Sequence, residues 1–172
     1  MKKIVIFGVG DFAQLAYYYF KYDSDFEVIA FTINKNFIKE KFLLKLPVIP
    51  FEEIESVFPS SEFGLFIAVG YSQMNKVRAS IYAQAKKMGY TLVSYINSKA
   101  ITWGDLSMGD NCFVFENVVI QPFVNIGDDV VIWSGNHIGH HSSIGDHCFI
   151  TSHVVVSGNV QIGPYCFLGV NS

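Results

Sequence analysis

The hydrophobic positions of the chain follow two different periods, and the change falls near Asn97. Before it, apolar runs of strand length alternate with segments of helical spacing. After it, an aliphatic residue recurs at every sixth position from Met108 to Leu168. Two periods in one chain predict two domains, which we place at residues 1–97 and 98–172.

The first half combines strand-like and helix-like segments. Four apolar runs predict strands at residues 3–8, 26–33, 62–70 and 91–96. Helical spacing predicts helices at residues 11–21 and 73–88, with Asp11 as the N-cap of the first. Residues 34–62 contain three prolines and give no clear prediction. Alternation of strands and helices favours a small Rossmann-like parallel sheet.

The second half carries an unbroken hexapeptide pattern. Its aliphatic positions are Met108, Val114, Ile120, Ile126, Ile132, Ile138, Ile144, Ile150, Val156, Ile162 and Leu168. Glycine follows every third of them, which adds a repeat of eighteen residues. Three six-residue faces can close one triangular coil, and coils stack at about 4.8 Å. This is the signature of a left-handed parallel β-helix, with glycine expected where a turn requires positive φ.

The residue four positions after each aliphatic residue must also point inward, near a corner, and be small. Those positions hold Cys112, Val118, Val124, Val130, Asn136, Ser142, Cys148, Val154, Val160, Cys166 and Ser172. All three cysteines belong to this set, and their spacing matches no metal site. We expect packed thiols in a reducing cytosol.

Composition and net charge limit the kinds of molecule that this chain is expected to bind. Hydrophobic residues make up 51% of the chain and charged residues 16%, with a net charge of −3, so nothing indicates binding to nucleic acid. No apolar run is long enough to span a membrane, and Gly8, Gly10 and Asp11 interrupt any leader peptide. We therefore expect a cytoplasmic protein. The repeat is still running at Ser172, so we expect the natural protein to continue.

Several stretches along the whole chain match a known class of proteins. They are Ile4-Val5-Ile6-Phe7-Gly8-Val9-Gly10, Ile67-Ala68-Val69-Gly70-Tyr71, Asn75-Lys76, Arg78, Gly89-Tyr90, Tyr95-Ile96-Asn97-Ser98-Lys99-Ala100, Ile138-Gly139-His140 and Val155-Val156-Ser157-Gly158. Together with the order of the two domains, they resemble the sugar acetyltransferases of the NeuD/PglD type.

The resemblance implies an activity. Members move an acetyl group from acetyl-CoA to the amino group of a nucleotide-linked amino sugar, in surface-glycan synthesis. They are homotrimers, with the sugar nucleotide in the N-terminal domain and acetyl-CoA along the β-helix edge between subunits. Gly158 and Phe149 are the candidate acetyl-CoA contacts, and no metal is expected. Two alternatives stay open: an O-acetyltransferase, and a non-catalytic trimeric binder of sugar nucleotides.

The segment that begins at Gly8 looks like a phosphate-binding turn. Gly8 and Gly10 stand between a predicted strand and a predicted helix, where backbone N–H groups can hold a pyrophosphate. A plain strand-to-helix turn is the alternative. No acid ends the second strand, which disfavours a redox dinucleotide, and Asn34 and Lys35 can instead face a nucleotide. The family usually has Gly-His at Asp11-Phe12, and an anionic Asp11 would weaken phosphate binding unless it caps the helix.

A second group of candidates follows the third predicted strand. Gly70, Tyr71, Asn75 and Arg78 lie at the carboxyl edge, where such sheets bind ligands. The planar guanidinium of Arg78 suits a phosphate. A solvated helix start is the alternative for this group.

Five histidines fall within residues 137–153: His137, His140, His141, His147 and His153. The eighteen-residue ladder stacks no two of them, so a zinc site within one chain is disfavoured, and one between subunits stays open. His140 comes two residues after the inward Ile138, and the resemblance makes it the general base of acetyl transfer. The alternative is a surface histidine bonded across coils.

Three positions near His140 depart from the family. Gly139 replaces an acid that commonly precedes the base, Trp133 replaces an asparagine, and Phe149 replaces a second histidine. The sequence therefore does not identify the group that orients His140. His141, Asn136 and an acid from another subunit are the candidates.

Overall fold

The computed structural model describes residues 2–172. The chain forms two compact units, each with its own hydrophobic core. The first contains residues up to Gly70 together with Ser80–Val93, and the second contains Tyr71–Ala79 together with Ser94–Ser172. Within the described residues, no helix combines the length and the apolar character needed to cross a membrane.

The first unit is built on a six-stranded sheet. Its strands are β1 (Lys2–Phe7), β2 (Phe26–Ile33), β3 (Phe42–Leu43), β4 (Leu46–Pro50), β5 (Gly64–Ile67) and β6 (Thr91–Leu92). Its helices are α1 (Asp11–Asp23), α2 (Ile54–Val57) and, from Ser80 onward, α3 (Lys76–Lys87), with 3₁₀ turns at Lys35–Phe37 and Phe51–Glu53. The strand order is β3-β4-β2-β1-β5-β6, and all neighbours are parallel except the β3–β4 pair. The predicted Rossmann-like sheet is confirmed.

Burial explains why these elements form. Ile4 to Phe7 of β1 and Leu65 to Ile67 of β5 are almost completely buried, as central strands of a parallel sheet require. Helix α1 buries Ala13, Ala16 and Phe20 at helical spacing. The prediction that Asp11 caps this helix is wrong. Gly10 is the N-cap and Asp11 the first helical residue, without a side-chain capping bond.

The second unit contains twelve two-residue strands. They are β7 (Tyr95–Ile96), β8 (Ser107–Met108), β9 (Phe113–Val114), β10 (Val119–Ile120), β11 (Asn125–Ile126), β12 (Val131–Ile132), β13 (His137–Ile138), β14 (Ser143–Ile144), β15 (Phe149–Ile150), β16 (Val155–Val156), β17 (Gln161–Ile162) and β18 (Phe167–Leu168). They form three parallel sheets, β7-β9-β12-β15-β18, β8-β11-β14-β17 and β10-β13-β16. The unit is therefore a three-sided parallel β-helix.

The predicted columns of aliphatic side chains are present. Ile126 pairs with Ile144, and Ile144 with Ile162, so partners stand eighteen residues apart. The small inward residues from Cys112 to Val154 are buried as well. Two of them are polar and satisfied by backbone: Asn136 accepts from the Val154 N–H, and Ser142 donates to the Ser157 carbonyl at 2.9 Å.

The corners differ from the expectation that glycine supplies positive φ. Gly135 does so at one corner, but the others have φ between 53° and 67° at Asn111, Asn117, Phe123, Asp129, His141, His147, His153, Asn159, Tyr165 and Asn171. The glycines of the eighteen-residue repeat are needed for a different reason, which is the space between coils. A Cβ on Gly109 would stand 2.8 Å from the Asp128 backbone in the next coil, and one on Gly145 would stand 2.7 Å from the Pro164 nitrogen.

The predicted strand at residues 91–96 is in fact two strands. Its first part is β6, and the Val93 N–H still donates to the Leu65 carbonyl of the first unit. Its last part is β7, where the Tyr95 N–H donates to the Cys112 carbonyl of the β-helix. The run is apolar throughout, so its pattern does not reveal where one sheet ends and the other begins.

Candidate active site

His140 and His141 occupy one corner of the β-helix, between β13 and β14. The buried Ile138 and Ser142 fix the chain on either side of it. His141 has the corner conformation, with φ 57°, which L-residues other than Asn, Asp and His adopt less readily. Both imidazoles are exposed. The corner thus presents two titratable rings to solvent on a rigid frame.

The two rings face each other through their Nδ1 atoms. The Nδ1–Nδ1 distance is 3.0 Å, and the ring planes are nearly perpendicular, at 87°. Two such nitrogens at this distance share one hydrogen, because one must donate and the other accept. The backbone N–H of His140 donates to Gln121 Oε1 at 2.9 Å, which ties the corner to the preceding coil.

Glycines shape the surroundings of His140. A Cβ on Gly158 would stand 2.7 Å from the His140 ring, so this glycine makes room for the imidazole. A Cβ on Gly139 would stand 2.5 Å from the Gly158 nitrogen. These two coils approach too closely for an acidic side chain at position 139.

The other histidines lie at other corners or on a strand. His147 stacks between Asp129 and Tyr165, with its Nδ1 2.8 Å from Asp129 Oδ2. His153 lies over Gly135, where a Cβ would stand 2.6 Å from the ring. These ladder positions are the ones that the eighteen-residue repeat predicts. Among residues 2–172, no three side chains of His, Cys, Asp or Glu are arranged to hold a metal ion.

Arg78 and Asn75 are completely buried. Arg78 Nε donates to Asp129 Oδ1 at 3.0 Å, and Nη2 donates to the carbonyl oxygens of Asp129 and His147. Asn75 Nδ2 donates to the carbonyl oxygens of Tyr165 and Cys166. These bonds are directed to the β-helix rather than to solvent, so both side chains are occupied by structural contacts.

Tyr71 and Phe149 lie together in the second unit. Tyr71 is exposed, and its ring centroid is 5.2 Å from that of Phe149 and 4.6 Å from that of Phe167. Phe149 is only 3% exposed. A ligand could reach the Tyr71 ring directly, whereas Phe149 is covered. Of the two proposed acetyl-CoA contacts, Gly158 is the one beside His140.

The glycine turn of the first unit borders a cavity. Gly8 has φ 121° and donates its N–H to the Thr32 carbonyl, and a Cβ there would stand 2.7 Å from the Ala68 carbonyl oxygen. Gly8 thus permits close approach of backbone, and its own N–H is engaged within the sheet. Gly10 is exposed and lines a cavity of about 450 Å³ together with residues of 33–48. Gly70 is half-buried after β5.

Asn34 and Lys35 both engage acidic residues. Asn34 Nδ2 donates to Glu52 Oε1 at 3.2 Å, and Lys35 Nζ lies 3.3 Å from Glu53 Oε1. Hydrogen bonds from its own backbone and from the Lys35 N–H lower the pKa of Glu52. Both pairs are exposed, so a ligand can compete for Asn34 and Lys35 at little cost.

Asp129, Gln121 and Glu52 were not among the predicted site residues. Asp129 could have been found, because the ladder places it inside a column with Asn111 and His147, and a buried acid requires a cation. The chain has a single arginine, Arg78. Gln121 and Glu52 carry no signal of this kind in the sequence.

Comparisons with known proteins agree with this architecture. A family model described as bacterial transferase hexapeptide (six repeats) matches residues 105–140 and 123–158. Among curated proteins, none matches the chain significantly.

Several solved structures have a similar fold over nearly the whole chain. One is a histidine variant of perosamine N-acetyltransferase from Caulobacter crescentus in complex with CoA and GDP-perosamine. It is 18% identical, covers 98% of this chain and 86% of its own, and has a TM-score of 0.77. WeeI from Acinetobacter baumannii AYE is 17% identical, covers 98% and 79%, and has a TM-score of 0.80. The acetyltransferase domain of PglB from Neisseria gonorrhoeae FA1090 is 18% identical, covers 99% and 93%, and has a TM-score of 0.63.

The fold class predicted from the sequence, an α/β unit followed by a left-handed β-helix, is therefore confirmed. The chain carries bacterial transferase hexapeptide repeats and has the fold of the sugar acetyltransferases of the NeuD/PglD type that it resembles in sequence.

Proposed function

We propose that this protein transfers the acetyl group of acetyl-CoA to the amino group of a nucleotide-linked amino sugar, with His140 as the general base. The observation that carries the proposal is the corner of His140 and His141 on a hexapeptide β-helix. His140 is exposed there, its Nδ1 is engaged by His141, and Gly158 leaves space for its ring. Nε2 is the atom that can take a proton from a substrate.

The reaction requires one proton acceptor. The sugar nitrogen attacks the thioester carbonyl carbon, a carbon–nitrogen bond forms, and the carbon–sulfur bond breaks. The proton leaves the nitrogen for His140 Nε2 and then passes to the departing CoA thiolate. The products are the N-acetyl sugar, free CoA thiol and the regenerated neutral imidazole.

Features of the β-helix support a site for the acyl donor. An open groove of about 340 Å³ follows the β11-β14-β17 face from Asn125 to Pro164, and its lining includes Ser143, two residues after His141. Phe123 and Val155 are more than 60% exposed, which supports contact with a second subunit. We propose a homotrimer that binds acetyl-CoA between subunits, with Gly158 among its contacts. The PglB domain has been solved in complex with acetyl coenzyme A.

The cavity of the first unit supports a site for the nucleotide. It lies past the carboxyl ends of β1 and β2, where parallel sheets bind ligands. Gly10 borders it, and Asn34 and Lys35 follow β2. We propose that these residues, together with Gly8 and Gly70, hold the sugar nucleotide. We propose that the reaction takes place in the cytoplasm, where acetyl-CoA and nucleotide sugars are present, and that it serves surface-glycan synthesis.

Turnover with defined substrates tests the proposal. The full chain is incubated with acetyl-CoA and UDP-, dTDP- or GDP-linked amino sugars, and release of CoA thiol is followed. We expect turnover with at least one of them. An amide product resists hydroxylamine, whereas an ester from O-acetylation is cleaved by it.

The base is tested by His140→Ala. We expect kcat to fall by about 10²- to 10⁴-fold, as general base catalysis contributes that much. His153→Ala is the matched control, because His153 is also an exposed corner histidine over a glycine. It should keep the wild-type rate. A wild-type rate in His140→Ala would exclude His140 as the base, and no turnover with any sugar would exclude the proposed function.

A further inference from the structure

We infer that His141 is a positioning residue for the base: it accepts the Nδ1–H of His140 and so holds His140 in the tautomer whose lone pair is on Nε2. The inference rests on the proposed function, because it concerns how His140 is prepared to take a proton. The Nδ1 atoms of these two adjacent residues are 3.0 Å apart.

The direction of this hydrogen bond follows from the role of His140. A neutral imidazole has one N–H and one lone pair. If His141 donated, the lone pair of His140 would be consumed at Nδ1, and its Nε2 would carry hydrogen and could not accept a proton. If His140 donates, its Nε2 is free to act. A base at His140 therefore requires His141 to be the acceptor.

The backbone and the neighbouring coils hold His141 in place for this role. Its N–H donates to the Pro122 carbonyl at 3.3 Å, and its ring packs against the Phe123 ring with a centroid distance of 4.6 Å. Such support on both the main chain and the ring keeps Nδ1 directed at His140. The space available to the His140 ring is in turn bounded by Gly158 beneath it.

The coils on either side of this corner supply no charge at the equivalent positions. Pro122 and Gly158 flank His140, and Phe123 and Asn159 flank His141, one coil away in each direction. None of these four side chains ionises. When His140 takes a proton at Nε2, the positive charge is shared through Nδ1–H with the neutral His141 nitrogen. The lone pair on His141 Nδ1 thus takes the place of the carboxylate that orients the histidine in a catalytic triad.

Two substitutions separate this role from a merely structural one. His141→Asn keeps an acceptor oxygen, and His141→Phe keeps a ring but removes the acceptor. Both residue types already occupy this corner in neighbouring coils, Phe123 with φ 67° and Asn159 with φ 60°. The backbone should therefore tolerate either variant.

The first measurement is steady-state kinetics of the full chain. We expect His141→Phe to lose kcat by about 10- to 100-fold, the usual effect of removing the partner of a functional histidine. The KM for acetyl-CoA should be unchanged, and His141→Asn should recover most of the loss. A wild-type kcat in His141→Phe, or equal losses in both variants, would overturn the inference.

The second measurement does not depend on activity. Nitrogen-15 NMR of the neutral imidazoles, with His140 assigned from the signals missing in His140→Ala, reports which ring nitrogen carries hydrogen. We expect Nδ1–H in the wild type and in His141→Asn, and a mixture of tautomers in His141→Phe. Nε2–H in the wild type would overturn the inference even if the protein proves to be an acetyltransferase. If no sugar is acetylated, the spectra still decide the tautomer.

Discussion

Arg78 forms a fully buried ion pair with Asp129, with Nε 3.0 Å from Oδ1. Asp129 Oδ1 also accepts from Asn111 Nδ2 at 2.7 Å, and its Oδ2 lies 2.8 Å from His147 Nδ1. The carboxylate thus links the corners of three successive coils, and the guanidinium donates to the carbonyl oxygens of Asp129, His147 and Cys148. Asn75 extends the same set of bonds to the next coil. This network fixes residues 71–79 to the β-helix.

Arg78→Ala is expected to lower the free energy of unfolding by about 3–5 kcal/mol, because it leaves the buried Asp129 carboxylate without its cation. Arg78→Lys should also be destabilised, since one ammonium cannot reproduce the fork of donors. Urea unfolding followed by circular dichroism measures both. Lys76→Ala, on the exposed side of the same helix, is the control and should change stability by less than about 0.5 kcal/mol. Wild-type stability in Arg78→Ala would contradict the assigned role.

Gly158→Ala should reduce turnover while sparing the fold. The new methyl group would stand 2.7 Å from the end of the His140 side chain, and an exposed ring can rotate away from it. We therefore expect a lower kcat with a thermal midpoint close to that of the wild type. Gly163→Ala is the control, because a Cβ there meets no atom within 4 Å. Equal activity of the two variants would show that the position of the His140 ring does not limit the reaction.

Two cysteines should resist alkylation in the folded protein. Burial raises the pKa of the Cys112 thiol to about 12 and that of Cys148 to about 11, so both stay protonated at pH 8. Mass spectrometry after iodoacetamide treatment should find them unmodified until the protein is unfolded. The half-buried Cys166 is the internal reference.

The raised pKa values of Cys112 and Cys148 also determine whether alkaline pH stabilises or destabilises the folded protein. The folded state keeps protons that the unfolded state releases from about pH 9. The contribution of these two protonated thiols to the free energy of unfolding is therefore complete below pH 9 and is lost as pH rises toward 11 and 12. Rapid labelling of all three thiols in the folded state at pH 8 would contradict both the burial and this pH dependence.

The β-helix could be predicted almost entirely, because its side chains obey one short rule. A residue such as Ile144 is inward by its position in the repeat, and its partners eighteen residues away follow by counting. The same counting predicted that His147 stacks on Asp129. Strand partners in this unit can therefore be found by counting along a short repeat, which is rare in parallel sheets.

The sequence did not predict features that depend on contacts outside its two periods. Residues 34–62 hold the β3–β4 hairpin, whose turn places Leu44 and Lys45 at positive φ without glycine. Arg78 was predicted to contact phosphate, with a solvated helix start as the alternative, because helical spacing gives no information about Asp129, fifty-one residues later. The Nδ1–Nδ1 contact of His140 and His141 also lies beyond sequence patterns, since side-chain rotation decides it.

The eighteen-residue register also restricts how this protein can change in length. An insertion of one whole coil leaves every corner residue above a corner and merely lengthens the prism. An insertion within a face that is not a multiple of six would disturb the inward positions of all later coils. An insertion of six or twelve residues would keep those positions inward but would move Gly158 from beneath His140. Divergence between homologues should therefore appear as complete added coils or as loops that bulge from corners, and the spacing from His140 to Gly158 should be inherited intact.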